Sequence, residues 1–118
     1  MSISLRLIHL YTKNLEDMSH FLSTLFDVDI LHHENGTLID CDGVSFLLHD
    51  KASKKSFIES LVIELEVKDQ MELKSLSQKI EFLNYRHDKD KKITFLMKGH
   101  QLEIVDLDSR KWFVSSIS

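Results

Sequence analysis

Cysteine is nearly absent from this chain: Cys41 stands alone. No intramolecular disulfide can form, and no cysteine cluster exists for structural zinc. Its place beside an Asp-Gly pair predicts a quiet, half-buried thiol at a strand end. The three glycines, at 36, 43 and 99, are too scattered to build a phosphate-cradling loop. Ser/His/Asp and Cys/His nucleophile arrangements have no support either. No apolar run approaches membrane-spanning length, and "MSISLRLIHLYTKN" has no long apolar core or small-residue cleavage site. The chain therefore reads as cytoplasmic, without a membrane partner. Basic charge is also scarce. Fifteen Lys and Arg against 19 Asp and Glu give a net charge of −4, whereas nucleic acid needs a concentrated basic face. Nucleic acid is not expected as a partner. The Lys-rich pieces "DKASKK" and "HDKDKK" read as solvated loops.

What is present suffices for a core. An apolar content of 42% in 118 residues fits one domain, or two small modules sharing an interior. "ISLRLIHLYT" reads as a strand apolar on both faces. Asn14 offers a helix cap, and Leu15, Met18, Phe21, Leu22, Leu25 and Phe26 then recur at helical spacing. "VDILHHE", an Asn-Gly turn, "TLIDC", an Asp-Gly turn and "VSFLLHD" supply three more strands. After the polar "KASKKSF" the order repeats. "ESLVIELEV" is a strand, Asp69 with Glu72 makes a capping-box pattern, and Met71, Leu73, Leu76, Ile80 and Leu83 mark a helix. "FLNYRH", "KITFLMK" and "HQLEIVD" read as the closing strands.

The predicted class is α+β: paired β-α-β-β-β modules forming a curved mixed sheet, with helices outside and an inner cleft. Module one spans 5–50, the linker 51–58, module two 59–106 and a tail 107–118, all in a single domain 1–118. Helices are expected near 14–26 and 69–82. Within "HQLEIVD", Glu103 alternates with Leu102 and Ile104, so it faces away from the helix side.

The doubled order resembles the vicinal oxygen chelate superfamily: glyoxalase I, the bleomycin-resistance proteins and the extradiol dioxygenases. The first module of that family opens with a strand, "DL" and "FY…LG"; here stand "NL" (Asn14, Leu15), "FL" (Phe21, Leu22) and "LF" (Leu25, Phe26). Its ending, a Gly turn and a strand of the form "IEL", is matched by "GHQLEIVD". The family's "DPDG" before the last strand reads as shortened to "KG". The resemblance implies a small organic molecule as ligand, homodimer formation and, in metal-using members, one divalent ion. That ion is held by four inward His or Glu residues on the first and fourth strands of each module. Aligned on caps and turns, those positions are Leu7, Leu47, Val62 and Glu103.

Only Glu103 of these carries a ligand atom, and one carboxylate does not hold a catalytic metal. No metal or other cofactor is therefore expected. An alternative set lies two residues further along three of the strands: His9, His49 and Glu64, joining Glu103. By ligand type it suits Fe(II), Mn(II), Ni(II) or Zn(II), although moving along pseudo-twofold strands spreads the ligands by about 6.6 Å each. The expected ligand-binding cleft comprises Leu7, His9, Leu47, His49, Val62, Glu64, Gln101 and Glu103, with no catalytic residue assigned. His9, in "LRLIHLY", should see little solvent and need a hydrogen-bond partner. The other histidines have surface explanations: His32 and His33 point to opposite faces, His20 lies on the polar side of its helix, and His87 and His100 flank turns. Trp112 and Phe113 in the tail are expected to cap the cleft or a dimer contact. Three functions remain open: a metal-free binding protein of the bleomycin-resistance type; a metal-dependent lyase, isomerase or dioxygenase; and a protein-interaction module.

Overall fold

A computed structural model describes residues 2–50, 61–86 and 92–117. The expected linker 51–58 and His87 lie outside them. The chain divides into two compact units, Met1–Lys55 and Ser56–Ser118, each with the order β-α-β-β-β.

In the first unit the elements are β1 (Leu7–Thr12), α1 (Leu15–Phe26), β2 (Ile30–His33), β3 (Gly36–Asp40) and β4 (Ser45–Asp50). They form one sheet in the order β1-β4-β3-β2. β1 runs parallel to β4, and the other neighbours are antiparallel. Parallel pairing of the first and last strands requires a crossover, which α1 supplies. Strand alternation sorts the residues: Leu10, Thr12, Ile39, Phe46 and Leu48 are buried, and Phe26 of α1 packs on Phe46 with ring centres 5.5 Å apart. Met18, Phe21 and Leu22 of α1 are fully buried, each contributing roughly 1.5–3 kcal/mol. Asn14 makes no side-chain cap; its own N–H donates to Thr12 Oγ1 at 2.9 Å. The hairpin loop is Glu34–Asn35, closed by the pair His33 and Gly36. A Cβ on Gly36 would collide with the Leu48 carbonyl oxygen, so that position requires glycine.

The second unit repeats the plan with β5 (Val62–Val67), α2 (Gln70–Arg86), β6 (Thr94–Lys98), β7 (Gln101–Val105) and β8 (Lys111–Ser116). The sheet order is β5-β8-β7-β6, again with a parallel outer pair. The expected cap holds: Asp69 Oδ1 accepts from Glu72 N at 3.0 Å, and Glu72 Oε2 accepts from Lys68 N at 3.0 Å. Leu73, Leu76, Ile80 and Leu83 face Leu102, Ile104, Trp112 and Val114, all buried.

"FLNYRH" is not a strand, because α2 continues through Arg86. Leu83 keeps the apolar stripe in phase, and Asn84 ties the last turn to Ile93, donating to its carbonyl at 2.6 Å and accepting from its N–H at 2.8 Å. The fourth strand of the module is instead β8, so module two does not end at residue 106 and the supposed tail is part of the sheet. Trp112 is neither a cleft cap nor a dimer contact. It is fully buried, and its Nε1 donates to Asp106 Oδ2 at 2.8 Å.

The turn before β8 explains that strand's position. Asp106 Oδ1 accepts from the N–H groups of Asp108 and Arg110 at 2.8 and 3.0 Å. Its Oδ2 pairs with the buried Arg110 guanidinium at 3.1 Å. Ser109 sits at φ 65°, the left-handed conformation that glycine favours. "DLDS", residues 106–109, is thus the counterpart of the family's "DPDG", and the "KG" pair belongs to the preceding hairpin.

Candidate functional site

Each sheet has one face packed by its helix; the opposite face carries the candidate site residues. In the first unit that face presents Leu7, His9 and Tyr11 from β1 and Ser45, Leu47 and His49 from β4. Leu38 and Asp40 from β3 and Leu31 and His33 from β2 complete it, as the strand register requires. His9 is exposed rather than enclosed, but its partner exists. His9 Nδ1 and His49 Nε2 are 2.8 Å apart. The ring centres are 5.1 Å apart at 19° between planes. That separation leaves little more than one ring radius on each side of the contact, so the two nitrogens meet head-on. Tyr11, the register partner of His49, stacks on it at 4.7 Å between centres. The His49 imidazole is held below its ordinary range, first by burial and then by the neighbouring His9 and His33.

In the second unit the open face presents Val62, Glu64 and Glu66 from β5 with Lys111, Phe113 and Ser115 from β8. Beside them lie Gln101, Glu103 and Val105 from β7. Glu103 is on this face, as its alternation with Leu102 and Ile104 predicts, but on the third strand of the module. Its charge is met by Lys111, whose Nζ lies 3.6 Å from Glu103 Oε1. Gln101 Nε2 donates to Ser115 Oγ at 3.3 Å. Glu64 and Glu103 are the two register neighbours of Phe113, one on each side.

No family sequence model matches the chain, and no curated protein sequence is significantly similar to it. Solved structures are. FosX, a genomically encoded fosfomycin resistance protein from Listeria monocytogenes, aligns with a TM-score of 0.72 at 14% identity, over 100% of this chain and 96% of that one. A glyoxalase/bleomycin resistance protein/dioxygenase family enzyme from Burkholderia phytofirmans PsJN aligns at 0.70 and 12% identity, over 98% and 100%. Lactoylglutathione lyase from Agrobacterium tumefaciens aligns at 0.64 and 14%, over 98% and 95%. The chain has the vicinal oxygen chelate fold. At such identities the likeness establishes architecture and leaves chemistry to the residues. FosX has also been solved complexed with Mn(II), so the fold poses the metal question directly.

The residues present do not fit such an ion. Leu47 is the third residue of β4 and pairs with His9, the third of β1. In the vicinal oxygen chelate fold of the second unit, Phe113 is the third residue of β8 and pairs with Glu64, the third of β5. The position assigned above to Glu103 therefore belongs to Phe113. Leu7, Leu47, Val62 and Phe113 offer no oxygen, nitrogen or sulfur donor. Among the described residues, no group of three or more His, Cys, Asp or Glu side chains is placed to hold a metal ion. Of the alternative set, His9 and His49 come together, but their nitrogens point at each other rather than converging on a third point.

Proposed function

We propose that this chain is a metal-free binding protein of the bleomycin-resistance type, taking up a small organic molecule against the open sheet faces and sequestering it. The observation that carries this reading is the apolar character of all four register-equivalent positions, Leu7, Leu47, Val62 and Phe113. Val62 is exposed and Leu7 and Phe113 are half-buried, so these positions offer apolar contact surface to an organic ligand where Lewis-acid chemistry would need donor atoms; Leu47 itself is buried. His9, His49, Glu64, Gln101 and Glu103 supply the polar contacts on the same faces. The protein acts as a cytoplasmic homodimer with no nucleic-acid or membrane partner. Among the described residues no helix is long and apolar enough to cross a membrane.

The test is a calorimetric and thermal-shift screen of small organic molecules against untagged protein, for wild type, Val62→Asp and Phe113→Glu. A ligand that stabilises wild type in the presence of chelator, and is lost in either variant, is the expected result. At a hundredfold excess over Kd it should add about 2.7 kcal/mol. Binding that requires an added divalent metal would overturn the reading.

A further inference from the structure

α2 carries two apolar stripes. Leu73, Leu76, Ile80 and Leu83 form the buried one, against the sheet. On the opposite side Met71, Phe82 and Tyr85 are 81%, 65% and 92% exposed, whereas α1 exposes no large apolar side chain. With Ser75 and Gln78 these outer residues follow one another at spacings of four, three, four and three, which is the seam of two helices packed side by side. The Arg86 guanidinium lies over the Phe82 ring, 6.0 Å from its centre. Met71 also borders an apolar groove of about 400 Å³ between α2 and β6, lined further by Leu73, Lys74 and Met97.

The charges beside this seam are not arranged for their own helix. Glu72 and Lys79 lie on one flank and Lys74 and Glu81 on the other, all exposed. Within α2 the residues three and four positions from each of them are uncharged, so the i, i+4 pairing that stabilises a solvated helix is missing. Glu72 gives only Oε2 to its cap. A second copy laid antiparallel, about a twofold axis between Ser75 and Gln78, completes the pattern. Met71 then faces the partner's Phe82, Glu72 the partner's Lys79 and Lys74 the partner's Glu81, each twice by symmetry. A slip of one heptad in one direction sets Lys79 against the partner's Lys79 and Glu81 against the partner's Glu81. A slip in the other direction does the same to Glu72 and Lys74. A parallel pair brings Glu81 to the partner's Arg86 but opposes Lys74 to the partner's Lys79. One arrangement alone satisfies both flanks.

We propose that the outer face of α2 is the surface through which two copies of this chain associate, antiparallel, with the flanking charges setting the register. The proposal rests on the reading of the protein as a homodimer and names its contact surface. Phe82 of the partner subunit lies against Met71 at the mouth of the groove, so an aromatic ring anchors each end of the contact. α2 packs on the far side of its sheet, and the contact therefore leaves the open face of the second unit free for a ligand. The seam is short. Two 17-residue helices bury less than the roughly 1,200 Å² at which standard interfaces begin, so association is weak, concentration-dependent and sensitive to salt.

The experiment is sedimentation equilibrium of the full untagged chain from micromolar to millimolar concentration, with circular dichroism to show that each variant folds. Wild type should show a monomer–dimer equilibrium that weakens as salt rises. Phe82→Asp should raise the dimer Kd by about tenfold or more. Lys74→Glu or Glu81→Lys alone turns two attractions into two repulsions and should raise it by about tenfold, whereas the double variant should return it close to the wild-type value. A double variant that fails to recover would overturn the antiparallel pairing and the proposal with it. A dimer unchanged by Phe82→Asp and by both single reversals would overturn the proposal while leaving the homodimer reading standing on another face. A monomer at every concentration would overturn both and leave the stripe to a different partner.

Discussion

Phe113 occupies in β8 the register position that Leu47 occupies in β4. Each pairs with the third residue of the parallel outer strand of its sheet, Glu64 and His9 respectively. By this equivalence the fourth-strand position that the resemblance implied for Glu103 falls on Phe113, and Glu103 lies one strand away, on β7. Glu103 is instead half-buried and faces Lys111 at 3.6 Å.

Glu103→Gln should therefore change little. Lys111 is 55% exposed and Glu103 27%, and solvent-screened pairs of this kind contribute under about 1 kcal/mol. Urea unfolding of wild type and variant should give midpoints consistent with that bound. A loss of several kcal/mol would mean that Glu103 holds something other than Lys111.

Asp106→Ala should behave in the opposite way. Asp106 and Arg110 are 4% and 2% exposed, and the carboxylate also holds Trp112 and the backbone of its turn. Removing it takes a carboxylate partner from the buried guanidinium together with the Trp112 and turn hydrogen bonds, which costs about 3–5 kcal/mol. The same unfolding measurement should show that loss, and Asp106→Ala with Arg110→Met should recover part of it.

Gly36→Ala should destabilise the first unit. The added methyl meets the backbone of β4 at Leu48, which cannot rotate away as a side chain can, so β3 and β4 must part. Overpacking of this kind costs about 1–3 kcal/mol. Thermal unfolding should show the drop; an unchanged Tm would contradict the close approach of Gly36 to Leu48.

Acidification should weaken the fold through His49. Its folded-state value is depressed below the ordinary 6.5, so the unfolded chain binds more protons between that value and the depressed one. Stability then rises with pH through this window and falls as pH drops below about 6.5. His49→Gln should flatten that part of the stability curve relative to wild type. A wild-type curve with no slope there would contradict the environment described for His49.

Cys41 should alkylate slowly. Burial first, and then Asp40, push its thiol above the ordinary range, and the thiolate is the reactive form. Iodoacetamide at pH 7.5 should modify it more slowly than free cysteine. A faster rate would show an activated thiol.

Much of this was legible in the sequence, and the failures have physical causes. The i, i+3, i+4 spacing of Leu73, Leu76, Ile80 and Leu83 marked α2, and the Asp69–Glu72 cap fixed its start. Its end is set by packing and not by propensity: Phe82 and Tyr85 favour strands, whereas Leu83 on the buried stripe and Asn84 bonded to Ile93 carry the helix on to Arg86. A helix ending at 82 shifts every later strand by one and puts Glu103 in the place of Phe113, whereas β6, β7 and β8 follow α2 directly. The alternation of Trp112 and Val114 with Phe113 and Ser115 is the signal that marks β8, together with an Asp-containing turn directly before. The His9–His49 contact had no local signal. It depends on the parallel register of β1 and β4, which no pattern within either strand states.

Metal analysis bears directly on the proposal that this chain keeps the vicinal oxygen chelate fold without a metal ion. Protein purified without an affinity tag is equilibrated with Zn(II), Mn(II), Ni(II) or Fe(II), freed of excess ion and assayed for bound metal and thermal stability. The predicted result is less than stoichiometric metal for every ion and an unchanged Tm. One tightly held ion per chain, raising Tm and lost in Glu103→Gln or in His9→Ala and His49→Ala, would contradict it.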